Sequence, residues 1–244
     1  MTLNGRIVLV TGGAKRIGRA IAIALAQRRA HVVISYRSSS RDALATVRAL
    51  KRCGGAQALA VRADLSRSAD VQRLMARIRQ RFGRLDVLVN SAAAFSRTPF
   101  ATLTERDWDA ALDTNLKGPF LCALYASRLM KRRGGKIINL ADWSGVRPYR
   151  DYLPYCVSKA GVIGLTKALA KELAPSIQVN AIAPGPILPP EGMSARERTR
   201  IVQRVPLKRW GRPEDIVNTV LFLIEGTDFM TGSTIFVDGG QLIA

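Results

Sequence analysis

Ile7-Val8-Leu9-Val10-Thr11-Gly12-Gly13-Ala14-Lys15-Arg16-Ile17-Gly18 decides the fold. The apolar run Ile7–Val10 predicts a buried strand, and the glycines after Thr11 predict a tight turn. Beyond the turn, Ile17, Ala20, Ile21, Ala24 and Leu25 recur at helical spacing and give a helix with one apolar face. A strand that turns through glycines into a helix aims the first backbone N–H groups of that helix at the turn, where an anion can sit. Arg16 occupies a place where such turns commonly carry another glycine. Either its side chain points into the site, or it is a surface arginine of the first helical turn.

The same unit repeats along the chain. Val32–Ile34, Leu59–Val61, Val87–Val89, Ile137–Leu140, Val179–Ile182 and Ile235–Val237 are further strand candidates, separated by amphipathic stretches. Strict alternation of strand and helix implies an α/β chain with a mostly parallel sheet of seven strands and helices on both faces. The expected architecture is a single doubly wound, Rossmann-type domain over residues 1–244. Ligands bind such sheets beyond the carboxyl ends of the strands. Residues 186–206 interrupt the rhythm with Pro189-Pro190, a glycine and a charged helical piece from Ala195 to Val205. That length exceeds an ordinary connection and reads as a substrate lid, with a purely structural excursion as the alternative.

Composition narrows the rest. The formal charge is +20, but the arginines and lysines are spread over nearly every helix, with no block of five or six like charges. With no nucleic-acid motif present, nucleic acid is not an expected partner; a solvated basic surface or attraction of anionic small molecules remains. No apolar run is long enough to span a membrane, and the first strand begins too early to leave room for a signal segment, so a cytoplasmic location is expected. Cys53, Cys122 and Cys156 have no metal or disulfide spacing, and His31, the only histidine, begins a strand, so no metal site is expected.

The second strand speaks to the cofactor. Proteins that bind NAD usually place an acid at its end for the ribose 2′-hydroxyl. Here Tyr36-Arg37-Ser38-Ser39-Ser40 offers no carboxylate before Asp42. Arg37 and Ser38, helped by Lys15, suit a 2′-phosphate, so NADPH is the expected cofactor. Gly12, Arg16, Ile17 and Gly18 would form its phosphate turn. Asp64-Leu65 and Asn90 would face the adenine and its ribose, or serve as ordinary strand-end caps.

Tyr155-Cys156-Val157-Ser158-Lys159 places a phenol and an ammonium one turn apart on a helix face, an arrangement in which the ammonium lowers the phenol's pKa. With the motifs above, Asn90-Ser91-Ala92-Ala93, Asn115-Leu116-Lys117-Gly118, Asn180 to Gly185 and Val237-Asp238-Gly239-Gly240 complete an ordered set. The chain resembles the short-chain dehydrogenase/reductase family along its whole length. That resemblance implies that Tyr155 donates a proton and that Lys159 binds the nicotinamide ribose. It also implies that Asn115 holds a water leading to Lys159. Pro184, Gly185 and Ile187 would lie at the nicotinamide, and Ser91 and Ala92 along the cofactor. Homotetramers are common among such relatives, and the segment from Thr231 to Ile243 looks like their subunit-contact region.

Three departures resemble the pteridine reductase branch: Arg16 for a glycine, Asp142 for the family's serine, and Phe95 in the loop after Asn90. The branch implies a pterin or folate stacked on Phe95, contacted by Arg16, and protonated by Tyr155 with help from Asp142. The expected activity is NADPH-dependent reduction of a dihydropterin, and possibly of dihydrofolate. Asp142 could instead cap a helix while Ser144 serves the serine's role, and Phe95 could be packing. Tyr149 and Tyr152 are candidates for the pocket wall. The competing readings are a 3-oxoacyl thioester or other carbonyl reductase, and a non-catalytic NADPH-binding regulator.

Overall fold

The computed structural model describes residues 1–53, 57–130, 134–190 and 192–244. Its seven strands are β1 (Ile7–Thr11), β2 (His31–Tyr36), β3 (Ala58–Arg62), β4 (Val87–Asn90), β5 (Gly135–Leu140), β6 (Ile177–Pro184) and β7 (Thr234–Val237). They form one sheet in the order β3-β2-β1-β4-β5-β6-β7, and every adjacent pair is parallel. The strand order reverses between β1 and β4, which opens the crevice where this architecture receives ligands.

The five inner strands β2, β1, β4, β5 and β6 are buried on both faces, which is why the sequence shows continuous apolar runs there rather than alternation, while the edge strands β3 and β7 are half-buried. Val8 and Val10 of β1 pack on one side with α1 (Arg16–Gln27), α2 (Ser40–Lys51) and α8 (Pro213–Leu221). Ile7 and Leu9 pack on the other side with α3 (Ser68–Phe82), α5 (Gly118–Met130) and α6 (Leu153–Leu173). The expected α/β sandwich of a single parallel sheet is therefore present, with α4 (Glu105–Leu112) and α7 (Ala195–Arg204) outside the two layers.

The expected lid, 186–206, contains α7, a helix with no buried residue. It begins with a capping box in which Ser194 and Glu197 bond each other's backbone. Glu191, within that segment, lies outside the described residues. His31 is structural: its Nδ1 accepts the Gln57 N–H at 3.0 Å and its ring stacks on Phe82. No helix of the described residues is long and apolar enough to cross a membrane, and among them no group of metal-ligating side chains is present.

Candidate active site

The glycine turn between β1 and α1 is shaped by close backbone approach. Gly12 has φ +64°, and a Cβ on it would lie 2.8 Å from the Ala92 Cα. A Cβ on Gly18 would lie 2.5 Å from the Gly12 carbonyl oxygen. The Thr11 hydroxyl accepts the N–H groups of Ser91 and Ala92 at 3.0 and 3.1 Å and so ties the ends of β1 and β4 together. Those two N–H groups are consumed internally, so Ser91 and Ala92 form the floor of the turn rather than donors to a ligand. At α1 itself, no side chain caps the N-terminus and no acid stands in its first turn. Its first N–H groups thus fit an anionic diphosphate. Ile17, in that first turn, is half-buried and packs against the core.

Arg16 departs from expectation. Its backbone is left-handed at φ +51°, and its guanidinium donates to the Leu188 and Pro189 carbonyls at 2.9 and 3.2 Å. It ties the glycine turn to the start of the 186–206 segment. Around the expected 2′-phosphate position Arg37 and Ser38 are exposed, while Lys15 is paired with Asp42 at 3.1 Å. Asp42, the first carboxylate after β2, is thus already engaged.

Several expected adenine-side residues also make contacts within the protein. Asp64 accepts the Ser66 hydroxyl and N–H at 2.7 and 3.1 Å. Burial opposes ionisation there, but the Ser66 bonds, with Arg37 and Arg67 nearby, hold the carboxyl below its usual range. Leu65 is buried against Gly118. Asn90 is buried, with its amide donating to Asn139 Oδ1 at 2.9 Å, and Asn139 continues to the Thr166 hydroxyl. This chain clamps β4, β5 and α6 together, so the Asn90 amide does not line a ribose wall. Ile187 is likewise buried in the core beside Gly211 and brings no side chain to a cofactor. Pro184 ends β6, and Gly185 is needed because a Cβ there would lie 2.6 Å from the Asp238 Cα.

The chemical end is built by β5 and α6. Asp142 follows β5, and its Oδ2 accepts the Tyr155 hydroxyl at 2.8 Å. Its Oδ1 accepts the Ser144 N–H at 2.8 Å and, at 3.4 Å, the Tyr149 hydroxyl. Ser144 is buried and its hydroxyl has no partner among the described residues, whereas Asp142 meets the phenol. Asp142, not Ser144, occupies the place beside Tyr155.

Lys159 is buried, with its ammonium bonded to the Leu140 carbonyl at 2.7 Å and lying 5.7 Å from the Tyr155 ring centre. Burial lowers its pKa from the usual 10.5 to about 8, with Asp142 pulling the other way. The expected lowering of the Tyr155 pKa by Lys159 is not found. Burial pushes the phenol well above its usual value, and the Asp142 charge and hydrogen bond push it further. The phenol therefore keeps its proton in this environment and is a weaker acid than a free tyrosine.

Asn115 lies in a π-turn, Asp113–Lys117, between α4 and α5. Its amide oxygen accepts the Ala94 N–H at 2.7 Å; its amide nitrogen donates to the Ala94 carbonyl and the Ser158 hydroxyl. Ser158 in turn bonds the Tyr155 carbonyl at 2.6 Å. The Asn115 side chain is thus tied through Ser158 to the backbone of Tyr155.

Phe95 is 45% exposed, stacks on Tyr152 with centroids 4.6 Å apart, and meets Tyr155 edge-on at 4.7 Å. Tyr149 joins the group through Trp143 and Tyr152. A cavity of about 630 Å³ shares Tyr149 with this cluster but none of Asp142, Tyr155 or Lys159, so it lies apart from those three side chains. The bracing by Thr11 and Asn139, and the contact of Tyr149 with Asp142, were not foreseen from sequence. Only Ser158, one turn after Tyr155, carried a positional hint.

A family model described as Enoyl-(Acyl carrier protein) reductase matches residues 12–241. The 3-oxoacyl-[acyl-carrier-protein] reductase of Synechocystis is 40% identical, with 99% of this chain and 98% of that protein covered. The corresponding Staphylococcus epidermidis protein is 38% identical over 96% of this chain and 97% of its own length. That of Thermotoga maritima is 36% identical with both chains covered completely. Among solved structures, one described as a short-chain alcohol dehydrogenase from Sinorhizobium meliloti superposes with TM-score 0.93 at 34% identity, covering both chains fully.

Proposed function

The chain belongs to the short-chain dehydrogenase/reductase family and is an oxidoreductase; from that premise we propose that it is an NADPH-dependent reductase of a ring C=N bond. The substrate class in this reading is a dihydropterin, with dihydrofolate a further member. The observation that carries it is the Asp142 carboxylate, 2.8 Å from the Tyr155 hydroxyl. Reduction of a ketone builds charge on oxygen, which calls for hydrogen-bond donors. An ionised carboxylate offers only acceptors. Reduction of C=N instead needs one proton on nitrogen, and the neighbouring N–H groups of a pterin find an acceptor in a carboxylate.

When bound, a nicotinamide would supply the hydride that the ring carbon needs. Tyr155 would give its proton to the adjacent nitrogen by swinging its O–H from Asp142 Oδ2 to the substrate, with Asp142 fixing where the phenol oxygen lies. The half-exposed Phe95, stacked on Tyr152, supplies an aromatic wall beside Tyr155 for a flat heterocycle. For the cofactor, exposed Arg37 and Ser38 favour a 2′-phosphate, and the Lys15–Asp42 pair removes the nearest carboxylate from competition. Association of copies into a homotetramer belongs to the same proposal.

The second reading is reduction of a 3-oxoacyl thioester. It is favoured by similarity, because the relatives named above carry that activity in their names at 36% to 40% identity over nearly the whole chain. Steady-state NADPH oxidation with dihydrobiopterin, dihydrofolate and an acetoacetyl thioester, side by side, separates the two. Turnover of the thioester alone would remove the C=N reading. NADPH is expected to exceed NADH in kcat/KM by about tenfold or more, the value of one charge-assisted contact. Equal values would remove the cofactor assignment.

A further inference from the structure

Tyr149 stands between the short turn Trp143–Gly145 and α6, outside every motif quoted above. Its ring packs edge-on against Trp143 at 5.2 Å and Tyr152 at 5.9 Å. Its backbone N–H donates to the Cys156 sulfur at 3.3 Å, which pins it to the helix residue after Tyr155. Held on these sides, the phenol directs its hydroxyl at Asp142 Oδ1, 3.4 Å away. The same oxygen takes the Ser144 N–H, leaving Oδ2 for Tyr155.

We propose that Tyr149 is a positioning residue for proton delivery: its hydroxyl and the Ser144 N–H fix the Asp142 carboxylate so that Oδ2 stays aligned on Tyr155. A carboxylate with one donor on one oxygen can rotate about its Cβ–Cγ bond. One held at both oxygens by three donors cannot do so without breaking bonds. Burial, reinforced by the Asp142 charge, pushes the Tyr149 phenol far above its usual pKa, so this hydroxyl remains a donor at every working pH. The Ser144 N–H holds the backbone side of the carboxylate and Tyr149 holds the ring side. The inference rests on Tyr155 as proton donor, not on which substrate receives the proton.

The test is a double-mutant cycle between Tyr149→Phe and Asp142→Asn, run on whichever of dihydrobiopterin and acetoacetyl thioester is turned over. Failure of the C=N reading therefore leaves this test standing. Tyr149→Phe keeps the ring packing and removes only the hydroxyl. It is expected to lower kcat by about tenfold with KM for NADPH unchanged, and to cost less than about twofold in the Asp142→Asn background. NADPH binding, followed by protein fluorescence, is expected to be unaffected. The solvent deuterium isotope effect on kcat is expected to rise, and as a ratio within one preparation it does not depend on how much of a variant is folded. An equal loss in both backgrounds, or an unchanged isotope effect, would overturn the proposal.

Discussion

At Tyr155 and Lys159, burial and one carboxylate decide the chemistry together. Tyr155 is pushed upward by burial and by Asp142, and Lys159 is brought down to about 8 by burial. The lysine therefore loses its charge as pH rises through about 8 while the phenol keeps its proton. Activity is expected to decline above that pH, as a kcat profile would record. Stability has the opposite slope. The folded pKa of Lys159 lies below the usual 10.5, so between about 8 and 10.5 the unfolded chain binds the extra proton and stability rises with pH. Below about 8 the buried charge costs on the order of 3 kcal/mol. Urea unfolding of the wild type and Lys159→Met across that window isolates the effect, and parallel curves would refute it. Asp142→Ser is expected to lower dihydropterin turnover by about tenfold or more and to raise thioester turnover, because a hydroxyl restores a donor for a developing alkoxide. An unchanged ratio of the two rates would show that the carboxylate does not select the substrate. Asp142 was legible in sequence because β5 fixes the count of residues leading to it. Tyr149 was legible only as a candidate pocket wall; its contact with Asp142 was not, because it depends on packing with Trp143 and Cys156 that no spacing rule encodes.

At the scale of elements, Arg16 joins the turn into α1 to the segment that follows β6. A non-glycine residue at φ +51° bears a backbone cost of about 1 kcal/mol, offset here by two hydrogen bonds to the Leu188 and Pro189 carbonyls. Arg16→Gly removes both the strain and the bonds. The unfolding midpoint is expected to move little, while trypsin cuts faster within 193–204, where Arg196 and Arg198 are exposed. Unchanged cleavage would show that Arg16 does not hold the 186–206 segment. The strands were legible because a sheet buried on both faces demands unbroken apolar runs, and each predicted run lies inside an observed strand. Their ends were less so: β6 extends from Ile177 to Pro184 because its backbone pairs with both neighbours beyond the apolar stretch. The π-turn at Asp113–Lys117 left no sequence signature, since it differs from a helix by one hydrogen-bond register.

For the whole molecule, two features pull against each other: a formal charge of +20 and a set of exposed apolar side chains. On α5, Phe120 and Leu124 stand one turn apart and exposed, and on α6 Leu153 and Val157 do the same. Phe100 and Phe229 are 77% and 102% exposed. Such stripes on two helices of the same layer are what an associating protein offers to a second copy, and the unexpected charge makes association sensitive to salt. Two copies of +20 repel, and added salt screens that repulsion, so self-association is expected to strengthen as ionic strength rises. An anionic cofactor is attracted by the same charge, so its KM is expected to rise with salt while kcat stays nearly constant. Sedimentation velocity and steady-state kinetics over one salt series therefore should move in opposite directions. Phe120→Lys combined with Val157→Lys adds charge to the stripe and is expected to shift the protein toward the 26.6 kDa monomer, with NADPH binding preserved. Were the wild type a monomer at every ionic strength, the helical stripe would not be a contact between copies, and the charge would act on small anions alone.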